Sequence, residues 1–143
     1  MGLQGGGKAV LKLADVGGTS RDLSTYVTRI AADLKGHNLV EVTTMGAGGH
    51  KWFSDEMEDA SLTVDFVYDP TVTTGPWAVL TGLRTATAAG AFELGPQGSA
   101  TGSPKITGNC WVETVPLEMA IGDVIRLNGI GIKVEGTVTI GTY

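Results

Sequence analysis

The sequence predicts a mainly β protein with about eight strands and one short helix. Glycine accounts for 22 of the 143 residues, and threonine, valine and isoleucine are frequent. This composition favours strands joined by turns and bulges. The clearest strand covers residues 60–68, where apolar and polar side chains alternate. This alternation predicts that three side chains face the core: Leu62, Val64 and Phe66.

The remaining elements follow from shorter signals. Pro76 suits the first helical position, and Trp77 and Leu80 fall on one side, which predicts a helix over residues 75–83. Residues 31–38 and 50–59 are predicted as loops. The other predicted strands are 8–16, 22–30, 38–44, 91–94, 105–115, 123–135 and a short final strand over 136–140.

Alternation leaves two options for the strand over residues 105–115. Either the side chains of Ile106, Cys110 and Val112 are buried, or those of Trp111 and Val115 are. The first option turns Glu113 outward.

Length and charge restrict the functional classes. A chain of 143 residues predicts one domain, residues 1–143, with a flexible glycine-rich N-terminal segment at 1–8. No apolar run approaches the ~20 residues that span a bilayer, so no membrane insertion is expected. The first residues lack the apolar region of a signal peptide, so export by that route is not expected. The net charge of −5 argues against tight binding of nucleic acid.

Two glycine motifs resemble phosphate-binding sequences without their context. Gly2, Gly7 and Lys8 match part of a P-loop, but Ala9 and a strand follow where a Ser or Thr and a helix are required. The segment 15–19 resembles the first phosphate motif of actin-like ATPases, which needs two α/β domains. Both are interpreted as turns or chain ends.

No catalytic, cofactor-binding or metal-binding residues are predicted. His37 and His50 are too far apart for a local ligand pair. Cys110 alternates within a strand and is interpreted as a small buried residue. The acidic side chains at 55, 56, 58 and 59 lack the spacing of a calcium loop and are interpreted as a solvated turn. The sequence therefore predicts a protein that is not an enzyme.

A succession of short motifs runs along roughly residues 20–140. The segments are 22–27, 41–46, 58–64, 77–83, 94–98, 102–108, 122–125 and 136–138. Each motif is weak alone, but their order resembles that of siphophage (long-tailed bacteriophage) tail tube proteins. Met45 stands where an aromatic residue is common in that family.

The resemblance implies a β-sandwich or half-barrel with one flanking helix. Six copies would close into a ring, and rings would stack into a conduit through which genome DNA passes without specific binding. The implied partners are further copies of the chain and other tail proteins, such as the tape measure and the tail terminator. The implied location is the virion tail, after synthesis in the cytoplasm of the bacterial host.

Two sets of residues are expected to serve such an assembly. Residues 45–59 are predicted as an assembly loop because small, flexible residues adjoin two large apolar ones, which a lone subunit would expose. Asp65 and Glu113 are the candidates for the channel wall, with the outer surface as the alternative position. The loop residues are Met45, Gly46, Gly48, Gly49, Trp52 and Phe53.

Two other functions remain open at this point. The chain could be another virion component of the same fold, such as a tail-tip or head–tail joining protein. It could also be a small ligand-binding β-barrel. Rings or tubes of the purified protein would distinguish the first class from the second.

Overall fold

A computed structural model describes residues 5–37, 39–46, 48–54 and 58–143 of the chain. It contains one α-helix, α1 (Pro76–Arg84), and two short 3-10 turns, Gly6–Lys8 and Ser24–Tyr26. The strands of the described residues are β1 (Val10–Ala14), β2 (Ser20–Asp22), β3 (Val27–Lys35), β4 (Leu39–Glu41), β5 (Trp52–Ser54), β6 (Asp59–Val67), β7 (Gly90–Gly95), β8 (Pro104–Thr114) and β9 (Arg126–Thr142).

Seven of these strands form one antiparallel sheet in the order β2-β1-β7-β8-β9-β6-β3. The sheet is strongly curved, because strands far apart in its order line the same cavity of about 530 Å³. Leu11 of β1 and Leu94 of β7 line it on one side, and Val27 and Ile30 of the edge strand β3 line it on the other. The architecture is therefore a half-barrel, which confirms the mainly β fold expected from the sequence.

The core lies on the concave side of the half-barrel. It is one cluster with contributions from β1, β6, β7, β8, β9 and α1, and no polar or charged residue of the described chain is buried. Leu62, Val64 and Phe66 are all at most 2% exposed, as their alternation predicts. On β8, Ile106, Cys110 and Val112 are buried and Trp111 is half-buried, which selects the first of the two options for this strand.

The helix is confirmed almost at its predicted position. Val79, Leu80 and Leu83 are buried in the core cluster, and the ring of Trp77 packs at a tilt against Tyr68 with 5.6 Å between centroids. Gly75 caps the helix, and a Cβ there would lie 2.8 Å from two backbone carbonyl oxygens. Only glycine fits so close to the backbone without a shift.

The predicted strand over 22–30 is wrong in detail. The backbone N–H of Ser24 donates to the Asp22 carboxylate at 3.0 Å, and the Ser24 hydroxyl accepts the Leu11 N–H at 3.0 Å. The first of these bonds is local and competes with ladder pairing, so the chain turns between β2 and β3. Strand β3 then continues through residues 31–35, predicted as a loop, because the whole stretch pairs with β6.

The last two predicted strands are a single strand. Strand β9 has 17 residues, and its register with β8 shifts between the Thr107 and Asn109 pairs. Gly136 has a φ of 71° in this region. Glycine tolerates such a conformation, so the residue makes a bulge rather than a chain break.

The glycine pair after β1 forms a turn, as predicted. The Asp15 carboxylate accepts the N–H groups of Gly17 and Thr19, each at 3.0 Å, and the Arg21 Nε at 2.9 Å. The hydrogen bond from Thr19, followed by that from Arg21, lowers the pKa of Asp15. This carboxylate therefore serves the turn itself.

Candidate assembly surfaces

A long excursion leaves the sheet between β3 and β6. Lys35 and Asp59 pair directly across these two strands, so residues 36–58 enter and leave the sheet at the same point. We call residues 36–58 the arm. Within it β4 and β5 form a separate two-stranded sheet, and none of its described residues is buried.

The prediction that Trp52 and Phe53 belong to a loop is wrong. Both lie in β5, where Trp52 pairs with Glu41 and Phe53 with Val40. The strand predicted over residues 38–44 includes β4, but β5 was not predicted. Neither face of the hairpin is buried in the described subunit, so no simple apolar alternation marks β5. Residues 55–57 of the predicted assembly loop lie outside the described residues, including the acidic side chains at 55 and 56.

The two faces of the arm differ in chemistry. Residues directly opposite in an antiparallel pair point to the same side. Val40 therefore shares a face with Phe53, and Val42 joins them because its N–H donates to the Lys51 carbonyl at 2.9 Å. The side chains of Val40, Val42 and Phe53 are 48%, 47% and 59% exposed. This apolar face is thus largely exposed in the described subunit.

The other face carries polar contacts around Trp52. His50 pairs with the Glu41 carboxylate, and the Thr43 hydroxyl donates to the same carboxylate at 3.0 Å. Trp52 itself is 59% exposed. His50 and His37 are thus both engaged within the arm, where His37 lies 3.1 Å from the Ser54 hydroxyl.

The tip of the arm contains the remaining predicted assembly residues. Met45 is fully exposed, and Gly46 has a φ of 88°. A Cβ on Gly46, Gly48 or Gly49 would meet nothing within 4 Å. The geometry thus brings all six predicted assembly residues onto one exposed hairpin; their role in assembly remains a prediction.

The predicted channel residues lie on the convex face of the half-barrel. Asp65 lies between two buried residues of β6 and is half-buried. Its carboxylate accepts the Gly129 N–H at 2.7 Å, so it also supports the irregular pairing of β6 with β9. Glu113 is exposed, and its Cβ is 4.0 Å from the position of a Cβ on Gly131. Both carboxylates therefore lie on one face.

The same face also carries cations, which sequence reasoning did not anticipate. Arg29 pairs opposite Asp65, and Lys133 pairs opposite both Ser61 and Trp111. Positive and negative side chains are thus interspersed over the convex face rather than segregated.

A polar cluster at the C-terminus was also missed. The Tyr143 hydroxyl donates to Glu93 at 3.0 Å, and Lys12 and Lys105 lie 3.6 and 3.8 Å from the same carboxylate. Burial, followed by the hydrogen bond to Glu93, raises the pKa of Tyr143 to about 12. These residues meet only through the pairing of β1, β7, β8 and β9, so no local motif could reveal them.

The residues considered for chemistry are buried or dispersed in the described structure. Burial raises the pKa of the Cys110 thiol to about 12, which disfavours the nucleophilic thiolate. Among the residues that the structure describes, no three His, Cys, Asp or Glu side chains are grouped to hold a metal ion. No helix in the described part of the chain has the length and apolar character to cross a membrane.

Comparison with solved structures identifies proteins of the same fold. A chain from the virion of a native gene transfer agent particle has a TM-score of 0.75 and 11% identity, and the match covers 98% of this chain and 100% of that one. A chain from the tail of an empty gene transfer agent particle, with C6 symmetry, gives a TM-score of 0.75, 12% identity and the same coverages.

A third match is a chain of an anti-feeding prophage cap, which terminates a tube. Its TM-score is 0.66 at 10% identity, and the match covers 100% of this chain and 93% of that one. No protein-family model and no curated protein matches the sequence. The half-barrel with its flanking helix is therefore a fold found in tail assemblies.

Proposed function

We propose that this chain is a structural subunit of a phage-type tail tube, in which six copies form a ring and rings stack into a conduit for DNA. The observation that carries the proposal is the match along nearly the whole length to a chain from a C6-symmetric tail. The sequence motifs support the same function independently of that match. In this role the protein acts by assembly and needs neither catalysis nor a cofactor.

The surface of the subunit supports assembly. Among the described strands, β3 lies at an edge of the sheet and pairs on one side only, with β6. An unpaired edge of nine residues can accept a strand from another subunit. The exposed apolar side chains of the arm offer a second contact.

The dimensions are compatible with a conduit. If each of six subunits contributes four strands, 24 strands spaced about 4.8 Å apart and tilted ~40° give a circumference of roughly 150 Å. The backbone diameter is then about 48 Å, and side chains leave ~35 Å clear. This opening is wide enough for a DNA duplex.

Electron microscopy and sedimentation of the purified protein test the proposal directly. Negative-stain images should show sixfold rings or tubes, and their proportion should rise with protein concentration. A monomer at every concentration would contradict the proposal. That result would favour a ligand-binding role for the cavity of about 530 Å³, whose size is ordinary for a small-molecule site.

A related function differs only in the place within the tail. The similarity to a tube-terminating cap supports a terminal or joining component as the alternative. Such a protein should form single rings that bind the end of a tube without extending it. Tubes of many stacked rings from the purified chain alone would exclude this alternative.

The channel wall can be tested by charge. If Asp65 and Glu113 face the channel, changing both to Lys should make assembled tubes retain short DNA at low salt and release it at high salt. The control is Asp65→Asn with Glu113→Gln, which removes the charges without adding cations. Lys-variant tubes that retain no more DNA than this control would place the residues outside the channel.

A further inference from the structure

The two ends of the sheet carry different exposed apolar surfaces. The arm leaves the end where Lys35 pairs with Asp59. At the other end, where Val67 pairs with Arg126, residues 115–125 connect β8 to β9. The nine residues of β6 span the distance between these ends, about 26 Å at 3.3 Å per residue.

The surface formed by residues 115–125, which we call the distal loop, has a defined structure. Glu118 exchanges two backbone hydrogen bonds with Arg126, at 2.9 and 3.0 Å, and its carboxylate accepts the Asn128 amide at 2.9 Å. The Ile125 carbonyl accepts the Tyr68 N–H at 3.0 Å. Its exposed apolar side chains, between 38% and 106% exposed, are Leu117, Met119, Ile121, Val124 and Ile125.

The charges of the two surfaces are complementary. Lys51 accompanies the apolar face of the arm and has no ion-pair partner among the described residues. The charged side chains of the distal loop are the carboxylates of Glu118 and Asp123. Asp123 is already paired with Arg126, just beyond the loop, at 3.4 Å, so Glu118 is the carboxylate of the loop that has no ion-pair partner among the described residues. A contact between arm and distal loop therefore brings opposite charges together, whereas contact between two distal loops brings carboxylates together.

We propose that the apolar face of the arm, formed by Val40, Val42 and Phe53, binds the distal loop of a second copy of this chain in the next ring. Two different surfaces at opposite ends of one subunit form a head-to-tail contact, and such a contact does not close on itself. It therefore gives a tube one direction of growth. The inference rests on the proposed function and adds the identity of the two axial surfaces.

Disulfide trapping tests the contact. The only native cysteine, Cys110, is 5% exposed and should stay unreactive in the folded protein. Phe53→Cys and Ile121→Cys are prepared singly and together, and thermal melts confirm that each folds like the parent. After assembly and mild oxidation, the double variant should give a ladder of covalent oligomers on non-reducing gels, and neither single variant should cross-link.

The possible results separate this inference from the function itself. Covalent dimers in either single variant would show that like surfaces meet and would overturn the inference. Tubes that yield no ladder in the double variant would overturn the inference and leave the proposed function standing. Absence of rings and tubes in the parent protein would overturn both.

A mixing experiment gives an independent test of direction. Phe53→Asp should disable the arm and Ile121→Asp the distal loop, so neither variant alone should stack its rings. Mixed together, they retain one intact arm and one intact distal loop, and pairs of rings should form in sedimentation and negative-stain images. Failure of the mixture to form pairs would contradict an arm that binds the distal loop.

Discussion

The half-barrel and the arm differ in where their apolar side chains lie. In the half-barrel, Leu13, Val64 and Phe66 are completely buried. In the arm, Trp52 and Phe53 are each 59% exposed, although aromatic side chains gain most from burial. The half-barrel therefore buries its apolar side chains within the subunit, while the arm leaves apolar surface exposed in the described subunit. Changes in the first should affect folding, and changes in the second should affect assembly.

The largest effect on folding is expected from Phe66→Ala. Phe66 is fully buried in the core cluster, so its truncation removes apolar contacts and leaves a cavity. The free energy of unfolding of the monomer should fall by about 3–5 kcal/mol. Urea unfolding followed by circular dichroism measures it. A loss below that of an exposed substitution would show that the core does not carry the stability of the half-barrel.

Gly75→Ala should have a smaller effect on folding. The new Cβ would lie 2.8 Å from the carbonyl oxygens of Asp69 and Thr71, so the backbone before α1 must move. We expect a loss of about 1–3 kcal/mol, the usual cost of overpacking. Gly48→Ala is the matched control, because a Cβ there meets nothing within 4 Å. Equal melting temperatures for the two variants would contradict this account.

Trp52→Ala should separate assembly from folding. Because the side chain is 59% exposed, its loss should change the stability of the monomer by no more than about 0.5 kcal/mol. Tube growth should stop, since the arm loses its largest apolar side chain. Thermal melts and negative-stain images of the same preparation give the two measurements. Normal tubes from this variant would show that the face of the arm that carries Trp52 is not needed for assembly, and would leave the opposite face, with Phe53, as the one to test.

The smallest effect is expected at the turn after β1. The lowered pKa of Asp15 means that its contribution to stability is present above the pKa of the unfolded chain and is lost as the pH falls through the folded pKa. Asp15→Asn should therefore lower the melting temperature slightly at pH 7. The difference from the parent should vanish in acid, below the ordinary range for aspartate. A constant difference at all pH values would contradict the hydrogen-bond account.

The sequence was most informative where one side of an element faces the core. The predicted bounds of strand β6 and helix α1 nearly match the observed ones. Both elements have a local sequence signal, which is the apolar alternation in β6 and the position of Pro76 in α1. The strand predicted over residues 22–30 ends too early, because pairing with β6 determines the structure of residues 31–35 and is not a local property. In the arm, β4 lies within the strand predicted over residues 38–44, whereas β5 was missed because both faces of the hairpin are exposed.

The candidate assembly surfaces could also be predicted only where a local sequence signal marks them. The exposed aromatic residues of the arm were identified from composition alone, since large apolar side chains beside glycines are unusual in a lone subunit. The distal loop was not identified, because its relation to the arm depends on the register of three strands. The cations of the convex face were missed for a similar reason, as Lys133 meets Trp111 only through pairing.

The direct pairing of Lys35 with Asp59 has a consequence for how such proteins can diversify. An insertion whose two ends meet at one hairpin position can lengthen or shorten without altering the register of the strands that flank it. The entropic cost of a longer insertion rises only slowly, by about 0.6 kcal/mol for each doubling of length. If the arm makes the contacts between rings, as proposed, their specificity can change through residues 36–58 alone, while the subunit that carries them keeps its stability.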